Sequence, residues 1–153
     1  VRGWGTGVSR LSGAAGLSFR APVLVTEGAL KAATTQVFLT QTYVVVSSGV
    51  ARSHQEIIET ARSRPLEIAF DNDSFTNPHV ARALAALLRL RSADQRLFAY
   101  DDKVRILTWD RSIKGIDEAL LAGFKLGSLT CTEWLKRLTP ECLEQANRQL
   151  STS

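Results

Sequence analysis

The chain has 153 residues, 44% of them hydrophobic and 22% charged, and carries a net charge of +4. That is enough apolar material for one domain with a real core, and it excludes a mainly disordered chain. No apolar run approaches the ~20 residues that a bilayer-crossing helix needs. The two cysteines, Cys131 and Cys142, are too few for a disulfide scaffold or a four-cysteine zinc site. They read as packing residues in a reducing, cytoplasmic setting. The Gly-rich start lacks the apolar stretch of a signal peptide, and the lack of any methionine, even at position 1, reads as a piece of a longer protein. Nineteen Lys and Arg stand against fifteen Asp and Glu without a polybasic run. This favours a polyanionic partner mildly and an ordinary solvated surface about equally.

Residues 1–20 hold five glycines and read as a loop, an edge hairpin or the end of an upstream domain. No Gly-Lys-Ser/Thr follows them, so they are not a phosphate loop. Val23-Leu24-Val25, ending at Thr26-Glu27-Gly28, reads as a buried strand, and Ala29–Thr35 as a short helix. Tyr43–Ser47 is a second buried strand. Ser53-His54-Gln55-Glu56 has the pattern of a capping box, with Ile57, Ile58 and Ala61 on one helical face. Leu66–Phe70 is a third strand, ending in Asp71-Asn72-Asp73. Asn77-Pro78 supplies an N-cap and a first-turn proline to a long helix bearing Val80, Ala83, Leu84, Leu87 and Leu88.

Val104–Thr108 is the fourth strand, and Glu118–Ala122 a short helix stopped by Gly123. The loop Arg111–Lys114 is expected to be mobile. Thr130–Glu133 is a second capping box and Thr139-Pro140 a further helix start, giving a C-terminal helical pair. The expectation is an α/β fold. Four mostly parallel, Rossmann-like strands carry helices on both faces, and a C-terminal helical extension follows. The chain divides into a lead-in (1–20), a core domain (21–123) and the extension (124–153).

Ligands of such folds bind beyond the carboxyl ends of the strands. Glu27 follows the first strand, Ser47 and Ser48 the second, Asp71 and Asp73 the third, and Asp110, Lys114 and Asp117 the fourth. If the first and third strands are neighbours, Glu27 converges with Asp71 and Asp73. Hard oxygen ligands without nearby His or Cys suit Mg²⁺ or Mn²⁺, and hence chemistry on a phosphate. Asp at a strand end also serves as a turn or capping residue, the competing reading for Asp73. Lys31, one turn into the first helix, reaches either a phosphate or Glu27. Arg52 is a phosphate contact or a surface residue, and Trp109 stacks a base or packs against the sheet edge, the second being the simpler reading. Arg82, Arg89, Arg91 and Arg96 line a nucleic-acid path or a solvated helix face.

LVTEG at 24–28, IAFDND at 68–73 and KGIDEAL at 114–120 together resemble the TOPRIM domain shared by primases, topoisomerases and some nucleases. The similarity is greatest to the TOPRIM-like domain of plasmid- and phage-encoded replication proteins. It covers residues 21–123. The resemblance implies Glu27 as metal ligand or general acid/base, and Asp71 and Asp73 as Mg²⁺ ligands. It places Lys114 and Asp117 in a later motif, for phosphate contact or local structure, with Asp110 supporting. It implies DNA or RNA and nucleotides as partners, and a helicase or zinc-binding domain of the same replication protein. The implied activity is primase-type nucleotidyl transfer. A TOPRIM-type nuclease, a phosphotransferase on small nucleotides and a non-catalytic nucleic-acid or protein-binding module are the alternatives. Tyr43 and Tyr100 sit in or before strands, which argues against topoisomerase chemistry.

Overall fold

Strands with β-branched and aliphatic residues on both faces must be covered on both faces, and this constraint organises the fold. The computed structural model describes residues 21–48, 51–94 and 103–151, with Ala51 and Arg52 described by backbone alone. The lead-in 1–20, Arg96 and Tyr100 lie outside the described residues. Val23–Glu27 (β1) pairs in parallel with Tyr43–Ser47 (β2) on one side and Leu66–Ile68 (β3) on the other. Val104–Thr108 (β4) continues the parallel sheet beside β3. The order is β2-β1-β3-β4-β5.

The chain steps from β1 outward to β2, then crosses back over β1 to reach β3. Right-handed crossovers in opposite directions place their helices on opposite faces. Ala29–Phe38 (α1) accordingly lies on one face, and Ala51–Thr60 (α2) with Pro78–Ala93 (α3) on the other. One core joins Val23, Val25, Val45, Ile68 and Ile106 to Ile57 and Ile58 of α2 and Leu84 and Leu87 of α3. The other joins Leu24, Val44 and Leu107 to Ala32 of α1 and to Ile116 and Ala119 of a short helix, Ile116–Leu121 (α4). The bounds of β2, the Asn77 cap with Pro78 at the first helical position, and both halves of the Thr130/Glu133 capping box match the expectation.

The sheet has five strands, not four. Gly127–Leu129 (β5) pairs antiparallel with β4, opposing Ile106 to Leu129 and Thr108 to Gly127. Of its three residues Leu129 alone is buried, so the segment has no alternation by which to be recognised. Residues beyond Gly123 thus supply a strand as well as the helices Cys131–Arg137 (α5) and Pro140–Leu150 (α6). Trp134, Cys142 and Ala146 are fully buried and belong to the larger core. Among the described residues, no helix is long and apolar enough to cross a membrane.

Two side-chain expectations are corrected. α2 begins at Ala51, so Ser53 is inside the helix and not at its cap. Its hydroxyl accepts the Ser48 N–H at 3.2 Å, tethering the helix to the end of β2. His54, expected at the helix start, is buried, and burial holds its imidazole below its ordinary pKa. Arg91 lies on neither a nucleic-acid path nor a solvated face. It is 4% exposed and donates to the carbonyls of Ala61 (2.9 Å) and Arg64 (2.7 Å), clamping the turn between α2 and β3 to α3. Arg82, by contrast, is exposed.

Charge-assisted hydrogen bonds contribute more than neutral ones, and removing a buried donor leaves an acceptor without water. Arg91→Ala should therefore lower the unfolding free energy by about 2–4 kcal/mol, read as a lower urea midpoint. Arg82→Ala on the same helix should shift it by less than about 0.5 kcal/mol.

Candidate functional site at the carboxyl edge of the sheet

Glu27 is the last residue of β1 and lies in register with Ser47 of β2. On its other side the β1–β3 ladder runs one step beyond the strand, through the Ala69 N–H to the Val25 carbonyl at 2.8 Å. That extension delivers Asp71 to the edge where Glu27 stands. Gly28 then turns the chain from strand to helix at φ 83°, a left-handed conformation that side chains disfavour. Lys31 is thereby placed at the start of α1.

Lys31 crosses the edge and forms a salt bridge with Asp71, both side chains mostly buried. Of the protein groups around it, Asp71 and not Glu27 is its salt-bridge partner, although its charge is felt by Glu27. Burial raises the Glu27 pKa above its ordinary value, and the negative charge of Asp71 adds to this. Lys31 and the Asp71 N–H work in the opposite direction, and Asp73 raises it slightly. Glu27 thus stands among charges that oppose its ionisation, as carboxyls with acid–base roles do.

Asp73 lies in a short 3-10 helix, Asn72–Phe75. Its backbone carbonyl accepts from Thr76 (3.1 Å) and Asn77 (2.6 Å), so it does act as a turn residue. Its side chain nevertheless keeps a buried Oδ1 without a hydrogen-bond partner. Asp117, at the start of α4, has the same orphaned Oδ1. Gly115 explains how α4 approaches so closely. A Cβ there would lie 2.6 Å from the Asp117 Oδ1 and 3.2 Å from the Lys31 Cε. The edge therefore gathers Glu27 from β1, Lys31 from α1, Asp71 from the loop after β3 and Asp117 from α4, with Asp73 following Asp71 in the same loop.

The loop after β4 is tied to the Asp-x-Asp segment by hydrogen bonds. Asn72, the middle residue of Asp-x-Asp, donates through Nδ2 to the carbonyls of Asp110 (3.0 Å) and Ile113 (2.6 Å). Its backbone N–H meets the Lys114 carbonyl at 2.9 Å. The Trp109 indole also donates to Ile113, at 2.9 Å, and Trp109 packs on the sheet as expected. Asp110 is exposed and accepts from the Ser112 N–H (2.8 Å) and hydroxyl (2.5 Å), which together hold it below the usual carboxylate range. It shapes the loop and is not drawn into the carboxylate group. Lys114 is exposed and borders a cavity with Asp73. Arg52 lies in the first turn of α2, away from β3 in sequence, and its side chain is outside the described set. His79 is exposed and its N–H caps onto Asn77.

The donor set suits a hard divalent ion in kind: carboxylates alone, two of them with orphaned oxygens. Among the described residues, no three His, Cys, Asp or Glu side chains form a group able to hold an ion together. Lys31 meanwhile supplies the positive charge at Asp71. Sequence reasoning missed Asn72 and Gly115, whose roles depend on loops brought together by the sheet. Comparison with protein-family models, with curated proteins and with solved structures found no match.

A carboxyl whose folded pKa lies above its unfolded value stabilises the fold only while protonated. That contribution is lost as the pH rises through the folded pKa. Glu27→Gln should therefore raise the melting temperature at pH 7.5, with the gain shrinking toward zero at pH 4. Melting curves across that range check the sign, and a gain that grows on acidification would contradict the electrostatics given above.

Proposed function

We propose that the chain is a TOPRIM-like, Mg²⁺-dependent nucleic-acid domain of a primase-type replication protein, acting in nucleotidyl or phosphodiester transfer. One observation carries this reading: β1 and β3 are parallel neighbours, so Glu27 and Asp71 meet at one carboxyl edge, with Asp73 close behind. The convergence inferred from Glu-Gly and Asp-x-Asp required that adjacency.

In this reading Asp71, Asp73 and Glu27 hold the ion, which supplies neutralisation of phosphate charge. Glu27 does the proton work. In the ion-free chain its raised pKa suits an acid or base, whereas as a ligand of the ion it would be held as the carboxylate. Lys31 keeps Asp71 oriented toward the edge, and Gly115 lets Asp117 stand close by. Lys114 contacts phosphate. A nuclease would use the same carboxylates, since metal-assisted transfer and hydrolysis differ in the acceptor, a hydroxyl or water.

A second reading, a non-catalytic nucleic-acid or protein-binding module, is favoured by a different observation. Lys31 already neutralises Asp71, and no three-ligand group exists among the described residues. An internal ammonium ion would then replace a metal as the counter-charge.

Titration with Mg²⁺ and Mn²⁺, followed by amide chemical shifts, separates the two. Shifts centred on Glu27, Asp71 and Asp73 that vanish in Asp71→Ala and Asp73→Ala are the expected result, whereas no response would leave the module. Primer synthesis on single-stranded DNA, run beside cleavage of plasmid and single strands, then distinguishes primase from nuclease. Loss of either activity by at least about a hundredfold in Asp71→Ala is expected.

A further inference from the structure

Beside the carboxylates lies a cavity of about 430 Å³ whose lining includes Asn72, Asp73, Arg111, Lys114, Arg137 and Thr139. Its cations come from separate elements. Arg111 and Lys114 are carried by the loop that Asn72 pins, and Arg137 ends α5. The α5–α6 junction is fastened to the same place, since the Thr139 N–H donates to the Phe75 carbonyl at 3.1 Å. All three cations are exposed, and none of them is engaged in a salt bridge among the described residues. Glu133, one turn before Arg137, offsets part of its charge. Three cations facing one carboxylate, Asp73, leave the cavity positive.

Like charges held on separate rigid elements repel, and they persist together at little cost only where solvent or an anion answers them. Arginine presents a planar fork matched to phosphate oxygens, and lysine adds a point charge. We infer that this cavity is a phosphate subsite, with Arg111, Lys114 and Arg137 as its ligands. Arg137 belongs to residues 124–153, outside the stretch that resembles TOPRIM. The subsite therefore gives the C-terminal segment a binding role in addition to its packing. It deepens the proposed function by naming what the carboxylate edge faces, but it needs no metal. The phosphate belongs either to a nucleoside polyphosphate or to the backbone of a nucleic-acid strand.

The test uses the whole chain in EDTA, so that no metal contributes. Sodium tripolyphosphate is titrated calorimetrically, and a fluorescent twelve-nucleotide oligo(dT) by anisotropy. Arg111→Ala, Lys114→Ala and Arg137→Ala should each weaken the bound probe about tenfold, with unchanged melting curves. Arg148→Ala, on the exposed side of α6, should have no effect. Binding of tripolyphosphate but not oligo(dT) assigns the subsite to a nucleotide. Binding of oligo(dT), with a salt slope that falls by ~0.7 for each cation removed, assigns it to a strand. Failure of both probes to bind, or binding indifferent to all three substitutions, overturns the inference. A silent Mg²⁺ titration with this binding intact would remove the metal reading and leave the subsite standing. The converse would remove the subsite alone.

Discussion

β1 and β3 pair in parallel across the whole of a helix, a strand and a second helix, with Val25 opposite Ile68. This contact decides where the acidic residues meet. The direction in which strands are added reverses at β1, so the connections that leave the carboxyl ends of β1 and β3 pass to opposite faces of the sheet, and a crevice opens between them. Glu27 lies on one lip and Asp71 on the other. The aliphatic residues that seat β1, with Val23, Leu24 and Val25 fully buried, thus set the polar edge where the Asp71 N–H reaches the Glu27 carboxylate. A slip of one residue would turn every side chain of β1 to the opposite face and carry Glu27 away from Asp71.

Acidic groups crowded at a partly buried edge oppose one another, and the structure answers them unequally. Asp71 has a lysine. Away from that group, exposed Asp110 has the N–H and hydroxyl of Ser112, and exposed Glu133 has Thr130 in its capping box. Glu27 gains only partial relief, and one oxygen each of Asp73 and Asp117 has no hydrogen-bond partner. Arg91, by contrast, is answered by two carbonyls, although Arg64 Nη1 and Arg89 Nε are also buried without a hydrogen-bond partner. Incompletely answered carboxylates set beside a cation-lined cavity are a division of charge that a packed core has no use for.

The sequence made local features legible where local chemistry determined them. The β2 run, the Asn77-Pro78 start of α3 and the Thr130 capping box each state their own conformation through branching, ring closure or side-chain reach. The meeting of Glu27 with Asp71 was legible only on the condition that β1 and β3 are neighbours, because the strand-helix alternation implies a parallel sheet but not its strand order. Features set by tertiary contact were not. β5 has three residues with one buried, and its strand character comes from β4. Ser53 matched a capping pattern, but the helix had already begun two residues earlier. Lys31 carries no sign that its partner lies forty residues on. Arg137 joins Arg111 only because the α5–α6 junction is fastened to the loop after β3.

Asn72 shows how little freedom an unspecified position can have. Between two aspartates, a third carboxylate would look harmless or even useful to a cation site. Yet the amide nitrogen of Asn72 faces two carbonyl oxygens, of Asp110 and Ile113, and holds the loop that bears Arg111 and Lys114. An aspartate has the same shape but no donor, and would set oxygen against oxygen at both contacts. Spontaneous deamidation of this one side chain would make that exchange, adding a negative charge while releasing the positive wall opposite. A single chemical ageing event could thus unfasten the two halves of the edge without altering any residue that carries charge.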